Sequence, residues 1–145
     1  MKILTIFCVV ISLHGSFYSY TQSSKKIIGT WKVDVTESIE LMNADQRAKY
    51  DAFDKATKEQ VADELKNQTY SFQSDNTFSI RTLQGTSSGK WDIDAKNLVL
   101  SFSSGKVTSN FIEKSTKKLL MLRIIDDPSS EALFHRIALY SLSNN

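Results

Sequence analysis

Gly29-Thr30-Trp31-Lys32-Val33-Asp34 and Gly89-Lys90-Trp91-Asp92-Ile93-Asp94 are two copies of one short pattern: glycine, any residue, tryptophan, then apolar and charged residues in alternation. Period two is the signature of a strand with one buried face. Trp31, Val33 and Val35 fall on one side of the first segment, and Lys32 and Asp34 on the other. Each segment therefore reads as a strand that sends a tryptophan into a core.

Upstream of the first copy, the chain reads as an export leader. Lys2 supplies a positive start, Ile3 to Leu13 an apolar core, and Gly15 to Ser24 a small and polar tail. That core is well short of the roughly twenty residues that a spanning helix needs. The expected division is a signal peptide over 1–22, cleaved somewhere between 15 and 24, and one domain over 27–145. The lone cysteine, Cys8, lies inside the apolar core and is expected to leave with it. Without disulfides, a chain of about 120 residues must rely on an ordinary hydrophobic core. Lys and Arg number 18 against 16 Asp and Glu, with no dense basic stretch, so nucleic acid is an unsuitable partner.

Between the two tryptophan segments the pattern changes. Asn43 to Lys66 is rich in Ala, Lys, Glu, Asp and Gln and has neither Gly nor Pro, which favours helix. Asn43 with Gln46, and Thr57 with Gln60, have the spacing of capping boxes. Tyr50, Phe53, Val61 and Leu65 fall near one face. One long helix or two meeting near Thr57 both satisfy this pattern, and two is the reading adopted. The expected helical insertion spans 43–66.

After Asn67 short strands return: Thr69 to Gln73, Thr77 to Leu83, Lys90 to Ile93, Leu98 to Phe102, Val107 to Glu113, Leu119 to Ile125 and Leu133 to Leu142. Ser74-Asp75-Asn76 suits a turn, because Asp and Asn tolerate left-handed backbone. Gly85-Thr86-Ser87-Ser88-Gly89 reads as a hairpin loop. Counting the first strand, the expectation is a mainly β fold. It is an eight-stranded antiparallel up-and-down barrel with an α-helical insertion between strands one and two.

The leader, Gly29-Thr30-Trp31, the early helical insertion and the seven later strands resemble the exported lipocalin-like proteins of Bacteroidetes-type bacteria, with a calycin-like barrel. Tyr70 to Phe78 resembles that family's second hairpin. Gly89 to Ile93 with Leu98-Val99-Leu100 resembles its middle strands. The resemblance implies that Trp31 closes the barrel base and that a late-strand arginine, best matched by Arg136 and next by Arg123, packs across its ring. The chain lacks the central motif and the cysteines of classical lipocalins. Its insertion is also similar to the helix pair of intracellular fatty-acid-binding proteins, which have ten strands and usually no leader.

The residues offer little for catalysis. His135 is the only histidine beyond the leader, and no nucleophilic cysteine accompanies it. The pairs Asp92/Asp94 and Asp126/Asp127 fall at turns, where Asp is common for conformational reasons. No cluster suits a metal. The expectation is a non-enzyme with no cofactor, secreted or periplasmic and monomeric, without a stable membrane span.

What remains is the interior. Alternation from Trp31 places Tyr70, Phe72, Phe78, Ile80, Leu100, Phe102, Phe111 and Tyr140 on inward faces as ligand-binding candidates, with Phe134 and Ala138 beside them. Trp31 and Arg136 are the expected closure pair. An eight-stranded barrel is either filled by its own side chains or holds one small molecule. Hence two functions stand: a binder of a small hydrophobic molecule, and a protein–protein interaction module on a filled barrel.

Overall fold

The computed structural model describes residues 26–125 and 133–142. The leader, Cys8, Asp126, Asp127 and Pro128 lie outside the described residues. The strands are β1 (Gly29–Asp34), β2 (Thr69–Phe72), β3 (Thr77–Thr82), β4 (Gly85–Asp94), β5 (Asn97–Phe102), β6 (Val107–Ser115), β7 (Leu119–Ile124) and β8 (Arg136–Ser141). Each pairs antiparallel with the next, and β8 pairs with β1, so the eight close into a barrel. Closure removes both sheet edges.

Up-and-down order gives the barrel two different ends. One holds the start of β1 and the β2–β3, β4–β5 and β6–β7 turns. The other holds the helical insertion, the β3–β4 and β5–β6 turns and the β7–β8 connection. The first end is sealed. Trp31 is buried, and its indole N–H donates to the Ile27 carbonyl at 2.7 Å, so its one polar atom is satisfied. Phe72 stacks edge-on against Trp91 at 5.9 Å and lies 6.4 Å from Phe78. The β2–β3 turn is tied to this plug. Asn76 takes a left-handed φ of 64°, and its carbonyl accepts from the Trp91 N–H at 2.8 Å.

The insertion holds three helices: α1 (Val35–Glu40), α2 (Ala44–Asp51) and α3 (Lys55–Lys66). The Asn43–Gln46 capping box forms as read. The second start lies earlier than expected: Asp54, not Thr57, caps α3, accepting from the Thr57 N–H at 2.7 Å. The first strand also stops sooner, because Asp34 caps α1 by accepting from Glu37 N–H. Val35 thus begins a helix instead of ending a strand. Buried Ser38 then supplies what β1 no longer offers, its hydroxyl accepting from the Ala138 N–H at 3.0 Å. Leu65 of α3 joins the main apolar cluster, and Val61 packs against it.

Two further readings are corrected. Gly85 to Gly89 is not a loop but the first half of β4; the turn is Leu83-Gln84, between the paired Thr82 and Gly85. Gly89 is needed there because a Cβ would fall on the Ser101 carbonyl oxygen of β5. On β6 and β8 the inward faces are the opposite of those expected. Asn110 and Ile112, and Ile137 and Leu139, are the buried alternates. Ala138 is buried, but on the outer face, where α1 covers it.

Candidate functional site

The end opposite Trp31 is not filled. A cavity of about 390 Å³ opens there between the strands. Its apolar walls are Ile80 of β3, Leu100 and Phe102 of β5, Leu122 and Ile124 of β7, and Ile137 of β8. Polar atoms come from Tyr70, Thr108 and Asn110, and Lys106 stands at the rim on the β5–β6 turn. Val107, also lining the cavity, and Leu83 of the β3–β4 turn are exposed apolar residues at this same end.

Tyr70 is the best-defined polar group. Its hydroxyl donates to Gln68 Oε1 at 3.1 Å, on the short link between α3 and β2. Burial pushes the phenol up from 10.0 to about 12, since a phenolate is poorly solvated there. It therefore stays a neutral donor and acceptor across ordinary pH. Asn110 is buried on the inner face of β6 and brings an amide into the cavity wall. A mostly apolar pocket with a few fixed polar groups is the usual form of a small-molecule site.

Of the eight candidates from alternation, Tyr70, Ile80, Leu100 and Phe102 line this cavity. Phe72 and Phe78 are buried below it in the sealed end, with Phe78 edge-on to Phe102 at 5.1 Å. Phe111 and Tyr140 lie outside the barrel. Phe111 sits under the Arg123 guanidinium, 4.9 Å from its ring centre, and Tyr140 is 39% exposed. Arg136 does not reach Trp31. It faces outward beside Arg123, and the Nε atoms of both contact Glu113 Oε1, at 3.0 and 3.1 Å respectively.

With Phe111 taken as inward, alternation puts Thr108 and Asn110 on the outer face of β6, and Lys106 lies on a turn where no period applies. The one available signal was Ile112, whose parity with Asn110 competes with that of Phe111. Asp92 and Asp94 are exposed on β4, where Asp92 accepts from the Ile93 N–H. No group of three or more His, Cys, Asp or Glu residues suited to a metal occurs among the described residues. No helix among them is long and apolar enough to cross a membrane.

Fold and cavity together define a small up-and-down barrel, plugged at one end and hollow at the other. No protein-family model matches the chain, and no curated protein matches it. Among solved structures it is similar to a DUF4847 family protein from Bacteroides vulgatus. The two are 13% identical with a TM-score of 0.49, over 82% of this chain and 95% of that one.

Proposed function

We propose that the protein is an exported, lipocalin-like binder of a small hydrophobic molecule. The cavity of about 390 Å³ in the upper barrel carries this reading. It falls at the lower end of ordinary small-molecule pockets, roughly 300–1,000 Å³. Binding is by burial against Ile80, Leu100, Phe102, Leu122 and Ile137. The Tyr70 hydroxyl and Asn110 amide orient a polar group on the ligand, and the helical insertion controls access. The leader over 1–22 supports a secreted or periplasmic location, and the role is carriage or scavenging, not catalysis.

Native mass spectrometry of protein purified from its source tests this. A reproducible bound mass of a few hundred daltons is expected. Ile80→Phe, which extends a half-buried wall residue into the cavity, should abolish that adduct at a stability cost no greater than about 1–3 kcal/mol, the usual range for an enlarged side chain. An empty barrel with a co-purifying protein would instead favour the interaction module, for which exposed Leu83 and Val107 at the mouth supply apolar contacts.

A further inference from the structure

A second, smaller cavity of about 170 Å³ lies outside the barrel, lined by Leu41, Asn43, Gln46, Arg123, His135 and Arg136. Its chemistry is the reverse of the first. Arg123 of β7 and Arg136 of β8 are direct cross-strand partners. Like charges facing each other across a ladder repel. Glu113 offsets this only in part, since both Nε atoms share its single Oε1. A guanidinium carries five N–H donors, and these contacts use one from each.

Gln46 supplies a second, independent observation. Its Oε1 is committed to the capping box, accepting from the Asn43 N–H at 3.1 Å. That bond fixes the orientation of the amide, so the other side-chain atom must be the Nε2 donor. Gln46 is only 6% exposed, and its Nε2 has no hydrogen-bond partner among the described residues. The His135 Nε2 is likewise buried and unpartnered, so the two groups do not satisfy each other. Buried polar atoms are nearly always paired, so an orphaned donor beside a cavity points to an acceptor that occupies it. The capping box already satisfies the backbone N–H groups of Asn43 and Gln46, so the start of α2 adds the positive end of the helix dipole and the free Gln46 amide donor. Asp45 of that turn is exposed.

We propose that this cavity is a binding site for a small oxyanion, held by the Arg123 and Arg136 guanidinium groups and the Gln46 amide at the start of α2. Among the described residues the lining is rich in donors and holds no carboxylate, and neighbouring Glu113 is already engaged by both arginines. A cation or an apolar molecule therefore fits poorly. At about 30 Å³ per water, the volume accommodates a phosphate-sized ion with a little solvent.

The test follows the Gln46 side-chain NH₂ and the two arginine Nε–H signals by NMR. Sodium phosphate, sodium acetate and, as the screening control, sodium chloride are titrated at matched ionic strength. Saturable shifts of the Gln46 NH₂ with phosphate or acetate, but not chloride, are expected. The stronger of the two distinguishes a tetrahedral ion from a carboxylate. Gln46→Glu keeps an acceptor for the capping box but replaces the donor, and should abolish binding. Arg136→Gln, at an exposed position, should weaken it about tenfold, as for loss of one charge-assisted contact. Identical responses to all three salts, or an unchanged titration of the stronger-binding anion in Arg136→Gln, would overturn the proposal. The arginine variant decides the matter if Gln46→Glu does not fold.

Discussion

The two ends of the barrel are built from the same strands yet solve opposite problems. At the Trp31 end, aromatic rings meet one another: Phe72 contacts Trp91 and Phe78, and the two indole N–H groups are satisfied by backbone carbonyls of Ile27 and Gln73. At the other end mostly aliphatic side chains and Phe102, with Tyr70, Thr108 and Asn110, surround space. Large rigid rings fill a narrow lumen, whereas shorter aliphatic groups leave its centre open. Stability should therefore concentrate at the first end and ligand binding at the second.

The sharpest way to break this contrast is Trp31→Ala. Removing a buried indole from the plug should cost roughly 3–5 kcal/mol, read as a lowered midpoint in a denaturant melt. A midpoint within about 0.5 kcal/mol of the parent would mean that the plug does not hold the fold. By contrast, Ile80→Phe at the mouth is expected to act on binding far more than on stability.

Gly89→Ala examines the boundary between the ends. Gly89 pairs with Phe102 across β4 and β5, and a methyl there would press on Ser101 backbone, which has no freedom to rotate away. A cost of about 1–3 kcal/mol is expected, the usual range for overpacking. The same melt measures it, and a neutral result would mean that the strands separate easily at this point.

The sealed end was more legible in the sequence than the open one, for a physical reason. Trp31, Val33, Trp91 and Ile93 alternate with charged residues, so one face is unmistakably inward. On β8 both alternates are apolar. Ile137 and Leu139 line the barrel, while Ala138 is covered from outside by α1. No period-two pattern survives when both faces are covered. On β6 the bulky Phe111 faces outward because Arg123 covers its ring, and polar Asn110 turns inward. A register shift between Ile112 and Lys114 further blurs that strand. A helix as short as α1 carries too few residues to show a period. Its signal was the cap, Asp34, three residues before Glu37.

Tyr70 offers a pH test specific to the mouth. Its folded value, about 12, lies above the ordinary 10.0, so folding favours the neutral phenol. The stability contributed by this group is fully present below pH 10 and is lost as pH rises through about 12. An ultraviolet titration should show a tyrosine step that lags the others, and Tyr70→Phe should remove it. A bound hydrophobic molecule should delay the step further. If the lagging step survives in Tyr70→Phe, the phenol is not sequestered and the mouth is wetter than the cavity implies.

The smallest expected effect compares α2 with α3 within the insertion. Asn43 caps α2 with an amide that does not titrate, whereas Asp54 caps α3 with a carboxylate. The backbone N–H of Thr57, helped by its hydroxyl, holds the Asp54 carboxyl below its usual 3.8. A depressed carboxyl stabilises the folded form above its unfolded value, and that contribution is lost as pH falls through the lowered one. Acid should therefore loosen the first turn of α3 before that of α2. The Thr57 amide should shift in an NMR titration at pH values where the Gln46 amide remains still. Asp54→Asn should keep the cap and erase the difference, since Asn is as good a cap as Asp. If both amides move together in the parent, the two helices open as one unit and the caps do not govern them. Because Leu65 anchors only the far end of α3 in the apolar cluster, the response should stay confined to the turn that Asp54 holds.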